Sequence, residues 1–136
     1  MATNSGEKAS LVRIPSHPAE YIAVVAAVIT AVIHLRLGPR FIEFSQTLGF
    51  LFILNGLGFL GGILVYVTRY WRRKFYLVAA GYAITTLLAF FFYGGFEGLL
   101  PAFQMRGSLN WNAVWAKAAE VILSVSALYL YQATDS

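Results

Sequence analysis

The sequence contains no cysteine among its 136 residues. Disulfide bonds, thiol redox chemistry, iron–sulfur clusters and cysteine-based zinc sites are therefore excluded. Charged residues are also scarce, at 12% of the chain against about 25% in an ordinary soluble domain. This composition excludes an intrinsically disordered chain, a charged nucleic-acid-binding groove and a collagen-like protein. The motifs GxSxG, HExxH and the Walker loop are missing as well, so we expect no enzyme and no catalytic residues.

Apolar residues dominate what is present. They make up 59% of the chain, and the mean hydropathy is +0.67. A soluble domain of this size needs a large polar shell, which these residues do not provide. Each of four apolar stretches has about the 20 residues that a helix needs to cross a bilayer. The predicted spans are 19–37, 46–67, 75–96 and 111–132.

The connections between these spans are short, covering 38–45, 68–74 and 97–110. Short links make neighbouring helices antiparallel, so the sequence predicts an all-α, up-down-up-down four-helix bundle in the membrane. Residues 1–18 have the composition of a disordered tail, and 133–136 form a C-terminal tail. We expect the first span to be retained, because it follows a polar head and lacks a signal-peptidase site.

Lysine and arginine are distributed unequally between the two sides of this bundle. On one side, six lysines and arginines lie in the N-terminal tail and the second connection. On the other side, three lie at the end of the first span and in the first and third connections. The positive-inside rule therefore predicts a multi-pass cell-membrane protein with both termini in the cytoplasm. The net charge of +4 is explained by these flanking residues, so we expect no nucleic-acid partner.

Small residues recur at helical spacing and are predicted to pack the helices. They are Ala23, Ala27 and Ala31 in the first span, and Gly58 and Gly62 in the second. Close backbone approach at small residues supplies much of the contact energy between helices in lipid. The spacing fits packing within this chain, and it also fits contact with a second protomer or another membrane subunit.

Glu120 is the least expected residue, because it lies near the middle of the fourth span. A charge there costs about 2.5–3.5 kcal/mol on insertion scales. Lys117 lies three residues earlier on the same helical face and can pair with it. We expect a polar layer at mid-bilayer that consists of Asn55, Thr85, Thr86 and Glu120. His34 and Lys117 are expected to lie above this layer.

Glu97 and Arg106 in the third connection are predicted to form the outer mouth of this cluster. His34 is the one histidine inside a span, and b-type haem commonly needs two such ligands. The sequence also shows no local metal-binding pattern. We therefore expect no metal and no cofactor, haem included.

Three functions remain open at this stage. The first is a structural or accessory subunit of a membrane complex, or a small homo-oligomer, with lipid, itself or other membrane subunits as partners. The alternative is a minimal proton, ion or small-solute transporter that uses the Glu120, Lys117 and His34 cluster. The third is a haem- or quinone-binding redox subunit, to which the position of His34 and the many aromatic residues point.

Three stretches carry a resemblance to known proteins: IHLRLGPRF, GFLFILNGLGFLGG and RYWRRKFYL. They resemble short four-span membrane proteins of unknown function that recur in archaeal genomes, particularly those of haloarchaea. The resemblance covers most of the chain after Pro18. It implies a four-span membrane fold and assigns no functional residue.

Overall fold

A computed structural model describes residues 11–43, 45–93, 104–105, 108–109 and 111–134. The four helices in this part of the chain are α1 (Pro18–Ile42), α2 (Gln46–Tyr66), α3 (Phe75–Tyr93) and α4 (Trp111–Ala133). Two short strands, β1 (Gln104–Met105) and β2 (Ser108–Leu109), pair antiparallel between α3 and α4. All four helices are long and apolar enough to cross a membrane. The predictions of an all-α chain and of four apolar helices are confirmed.

Helix α1 begins at a well-formed N-terminal cap. The side chain of His17 accepts a hydrogen bond from the backbone N–H of Ala19, and Pro18 occupies the first helical turn. The carboxylate of Glu20 accepts from the backbone N–H groups of Ser16 and His17, both at 2.9 Å. These contacts satisfy donors that a helix start otherwise leaves unpaired, and they fix the first residue of α1.

The other end of α1 extends beyond the predicted boundary at Leu37 and continues through Pro39 to Ile42. A proline inside a helix removes one hydrogen bond and favours termination. Here the helix is held by its neighbour, since Gly38 packs directly against Gly49 and Ile53 of α2. Tertiary packing therefore outweighs the local preference to stop.

Residues 11–17, which the composition assigns to a disordered tail, run along the end of α2. The backbone N–H of Arg13 donates to the carbonyl of Val67 at 2.6 Å, and that of Arg69 donates to the carbonyl of Leu11 at 2.8 Å. Val12 and Thr68 form an antiparallel bridge between these hydrogen bonds. This segment thus approaches α1 along a fixed path. The preceding residues of the predicted tail, 1–10, lie outside the described residues.

The helices are not equivalent. Extensive contacts join α1 to α2, α1 to α4 and α4 to α3, so α1 and α4 are the two inner helices. Buried residues make up 56% of the most apolar stretch of α4 and 39% of that of α1, against 17% in α2 and in α3. The polar groups inside the bundle should therefore come mainly from α1 and α4.

Small residues bring α1 and α2 together, with Gly56 at the contact on α2. Gly56 faces Leu35 and the carbonyl of Ala31, and a Cβ at Gly56 would lie only 3.0 Å from that carbonyl oxygen. Gly58 instead faces the hydroxyl of Tyr82 on α3, and Gly62 faces open space. Ala23, Ala27 and Ala31 are all buried in the core. Gly56 therefore lies on the face of α2 that meets α1, whereas the sequence names no partner helix for Gly58 and Gly62.

Large apolar side chains cover the outer faces of α2 and α3. Leu54 and Leu64 are more than 60% exposed, and so are Val78, Leu88 and Phe92. Soluble monomers rarely expose apolar surface on this scale. In a bilayer the same faces contact lipid tails, which are as apolar as leucine. The distribution of exposed residues therefore fits a membrane protein.

Replacing Gly56 with leucine tests the glycine contact between α1 and α2. We expect Gly56→Leu to lower the stability by about 1–3 kcal/mol, the usual range for overpacking a close contact. Gly81→Leu is the matched control, because no described atom lies within 4 Å of a Cβ at Gly81. Thermal unfolding midpoints of both purified variants in one detergent measure the difference. Equal midpoints would contradict the proposed close approach.

Candidate functional site

Glu120 of α4 has no exposed surface, and its carboxylate meets α1 in the middle of the bundle. The hydroxyl of Thr30 on α1, which is also fully buried, donates to Glu120 Oε2 at 2.6 Å. One turn later on α4, the hydroxyl of Ser124 donates to the Glu120 backbone carbonyl at 2.8 Å. The most costly charge in the sequence is therefore placed at the seam between the two inner helices.

Lys117 supplies the opposite charge, as the sequence predicts. Its Nζ lies 2.8 Å from Glu120 Oε1, and the lysine side chain is 8% exposed. This oxygen accepts no well-aligned hydrogen bond within the described residues, so the ion pair is its main stabilising contact. The ammonium also lies 5.0 Å from the ring centroid of Phe90 on α3, in a cation–π arrangement. Lys117 thus connects the carboxylate to a third helix.

His34 completes the group, one turn after Thr30 on α1. Its Nδ1 lies 2.8 Å from the Thr30 backbone carbonyl, an oxygen that can only accept, so Nδ1 carries a proton. Its Nε2 then faces Glu120 Oε2 at 4.0 Å, beyond hydrogen-bond distance. The ring packs against Phe52 and Phe59 of α2. We call Thr30, His34, Lys117 and Glu120 the Glu120 cluster.

The predicted polar layer is divided into two parts. The hydroxyl of Thr86 on α3 donates to Asn55 Oδ1 on α2 at 3.0 Å, and no hydrogen bond among the described residues joins this pair to Glu120. Thr85 is exposed on the outer face of α3. Consecutive helical residues point about 100° apart, so only one of the two threonines can face α2. The expectation that Asn55, Thr85 and Thr86 share one layer with Glu120 is corrected accordingly.

Two further residues were predicted to form the outer mouth of the cluster. Both Glu97 and Arg106 lie outside the described residues. Among the residues that are described, no three histidine, aspartate or glutamate side chains come together to form a candidate metal site.

A second polar cluster lies at the end of the bundle where α1 begins. The Tyr66 hydroxyl on α2 donates to Glu20 Oε1 at 2.5 Å and lies 3.1 Å from the Tyr76 hydroxyl on α3. Arg13 donates to the same Glu20 oxygen at 3.0 Å and stacks over the Tyr66 ring at 4.2 Å. The four side chains of Arg13, Glu20, Tyr66 and Tyr76, here called the Glu20 cluster, tie three helices to the N-terminal segment.

Arg13 is held charged by this arrangement. Partial burial lowers its pKa, but hydrogen bonds with Tyr66 and Glu20 more than offset that effect, and the pKa lies above its ordinary value. Arg13 falls within the predicted tail, so its contacts with Glu20 and Tyr66 are not expected from the sequence. One feature of the sequence indicates such a cluster. The Glu20 carboxylate falls in the first turn of α1, and a charge at that position needs hydrogen-bond partners.

Arg73 makes a similar connection to α4. Its Nε donates to the Tyr131 backbone carbonyl at 2.9 Å, and its guanidinium lies 3.8 Å from the centroid of the Tyr131 ring. At the N-terminal cap of α1, the ring of His17 lies 5.7 Å from that of Tyr129. Arginine–aromatic contacts therefore hold the basic loop before α3 against the last turns of α4.

Two cavities lie next to these clusters. An apolar crevice of about 340 Å³ runs between α2 and α3, and a pocket of about 530 Å³ lies at the basic end of the bundle. Glu120 lines neither of them. The Glu120 cluster is thus enclosed by helices, which suits a role in fixing their packing, whereas the Glu20 cluster borders an open site.

Removing the lysine tests the role of the buried ion pair. Lys117→Met leaves the carboxylate without its counter-charge, and breaking a buried pair from one side costs about 3–5 kcal/mol. We expect Lys117→Met with Glu120→Leu to recover most of that loss, because no unpaired charge remains. Thr30→Val should cost less, about 0.6 kcal/mol, the average for a side-chain hydrogen bond between membrane helices.

Thermal unfolding in one detergent ranks these variants against the parent protein. Asn112→Ala is the control, because Asn112 lies on the exposed first turn of α4 and the substitution leaves the Glu120 cluster intact. A Lys117→Met protein as stable as the parent would show that the pair does not fix the seam.

Comparison with known proteins places most of the chain in one family. A family described as a family of unknown function (DUF7475) matches residues 5–131, which include both clusters, the first three helices and all but the last two residues of α4. No curated protein and no solved structure matches the chain. The chain belongs to this family of unknown function, DUF7475.

Proposed function

We propose that the chain crosses the membrane four times in an up-down-up-down arrangement, with both termini in the cytoplasm. Contacts between helix ends support the arrangement. The start of α1 meets the end of α2 through Glu20 and Tyr66, and the start of α3 meets the end of α4 through Arg73 and Tyr131. Arg13, Arg72 and Arg73 all line one pocket at this end, which supports its assignment to the cytoplasmic side.

The absence of cysteine makes this topology directly measurable. Single-cysteine variants Glu43→Cys and Ala133→Cys place a thiol at exposed positions near opposite ends of the bundle. We expect a membrane-impermeant maleimide to label Glu43→Cys in intact cells and Ala133→Cys only after lysis. The reverse pattern would overturn the orientation, and labelling of both in intact cells would overturn the alternating arrangement.

Within the membrane, we propose a structural role for this chain as an accessory subunit or a small homo-oligomer. One observation carries the proposal: the charged groups of the Glu120 cluster are directed at one another inside the α1–α4 seam. The outer face of α2 is the surface that we assign to this interaction. On α2, no described atom lies within 4 Å of a Cβ built at Gly61 or Gly62, so these glycines are not used in the internal packing.

The other functions receive less support. A proton or ion route would need Glu120 to communicate with a water-accessible space, and the carboxylate lines neither cavity. A haem- or quinone-binding role would rely on His34, whose Nε2 faces Glu120 and whose ring packs on Phe52. Both remain predictions from the sequence, as does the haloarchaeal source.

Native mass spectrometry of the protein gently extracted from its own membrane tests the subunit proposal. We expect a stoichiometric assembly, either with copies of this chain or with companions of reproducible mass. Gly61→Leu should reduce that assembly, because close helix approach at a glycine is lost, while the unfolding midpoint of the monomer stays unchanged. Gly81→Leu, on α3, is the matched control. A bare monomer from both parent and variants would contradict the proposal.

A further inference from the structure

The apolar crevice between α2 and α3 is open towards the surrounding lipid. Its walls include Gly58 and Gly62 of α2 and Ala79 of α3, and inner residues such as Ala27 form its floor. Val65 and Val78 at its rim are 40% and 64% exposed. The crevice follows α2 from Tyr66 back to Gly58, a distance of about 12 Å at 1.5 Å per residue. A single narrow apolar chain would fill such a space.

The pocket at the basic end of the bundle has a different character. Three arginines line it, namely Arg13, Arg72 and Arg73. Arg13 and Arg73 are held in place by Tyr66 and Tyr131, and Arg72 is exposed. Among the described residues, no carboxylate forms an ion pair with Arg72 or Arg73. The pocket therefore offers fixed positive charge to a ligand.

Glu20 is the one carboxylate among the residues that line this pocket. It is already engaged by Arg13, by the Tyr66 hydroxyl and by the backbone N–H groups of Ser16 and His17. Its charge is thus largely compensated within the protein. An anion in the pocket would meet mainly the arginines.

The crevice and the pocket are adjacent, since Trp71 and Tyr76 line both. Two buried donors lie in this region without a hydrogen-bond acceptor in the described part of the chain: Trp71 Nε1 and Arg13 Nη2. Buried donors in proteins are nearly always paired. Both belong to residues that line the basic pocket, where an acceptor-rich ligand would satisfy them.

We propose that this composite site binds one anionic phospholipid, with its phosphate in the basic pocket and one acyl chain in the apolar crevice. Arginine guanidinium groups bind phosphate oxygens through paired, charge-assisted hydrogen bonds. A soluble phosphate compound would leave the adjoining crevice unfilled, and a zwitterionic phospholipid would bring its own cationic ammonium group next to the arginines. The proposal depends on insertion in a membrane, but it does not depend on the accessory role proposed above.

Tryptophan fluorescence provides a local measurement, because the chain has three tryptophans. Trp111 and Trp115 are about 60% exposed, so both can be changed to phenylalanine, leaving Trp71 as the reporter. This full-length protein is titrated in mild detergent with phosphatidylglycerol carrying brominated acyl chains, and separately with phosphatidylcholine carrying the same chains. Bromine quenches indole fluorescence on contact. We expect phosphatidylglycerol to quench Trp71 at lower concentration than phosphatidylcholine.

Arg72→Gln tests the headgroup half of the site. It should raise the phosphatidylglycerol concentration for half-quenching about fivefold, the effect of one basic residue on binding to anionic lipid. Arg69→Gln is the matched control, since it removes one charge from the same loop but Arg69 lines neither cavity. Equal effects of the two substitutions would indicate general surface attraction and would overturn the proposal.

Gly62→Leu tests the acyl-chain half. A leucine there projects into the crevice without meeting a described atom within 4 Å of its Cβ. We expect it to abolish selective quenching with an unchanged unfolding midpoint, whereas Gly81→Leu outside the crevice has no effect. Retained selective quenching in Gly62→Leu, with competition by inorganic phosphate, would indicate a phosphate site without a lipid chain. Equal quenching of the parent protein by both lipids would overturn the proposal altogether.

Discussion

The desolvation of Glu120 is the constraint on which the rest of the structure depends. A carboxylate in the middle of a membrane helix has no water to solvate it, so its charge must be compensated by groups of the protein. Lys117 provides the counter-charge from the same helix, and Thr30 provides a hydroxyl from α1. Since Thr30 can donate at 2.6 Å in only one register, the pair also specifies how α1 and α4 align.

The remaining helices are arranged around that seam. Helix α2 packs on α1 through glycines, and α3 packs on α4, so both retain broad apolar faces toward the lipid. Where α2 and α3 approach each other, the contact is made by side chains, for example by the hydroxyl of Tyr82 on the Asn55 carbonyl. This separation between the outer helices produces the apolar crevice.

Much of this architecture could be predicted from the sequence, because helix length and charge cost are local properties. The four helices and the Lys117–Glu120 pair follow from hydropathy and from spacing along one helix. Other features depend on which face of a helix meets its neighbour. Which face meets a neighbour decides whether Thr86 or Thr85 points inward, and whether Gly56 or Gly58 contacts α1. Helices that are apolar on all sides contain no periodic pattern from which the inward face could be predicted.

The two polar clusters differ in their surroundings. This difference assigns a packing role to the Glu120 cluster and places a ligand-binding site beside the Glu20 cluster. In the Glu120 cluster, opposite charges meet inside the bundle and none of the four residues lines either of the two cavities, so these charges act in helix packing. In the Glu20 cluster one carboxylate is shared by Arg13 and Tyr66. Beside it, Arg72 and Trp71 line a cavity, and the buried indole N–H of Trp71 has no acceptor among the described residues. An excess of hydrogen-bond donors over acceptors suits a phosphate group, and the adjacent apolar crevice suits an acyl chain. The basic end of the bundle is therefore where a ligand should be sought.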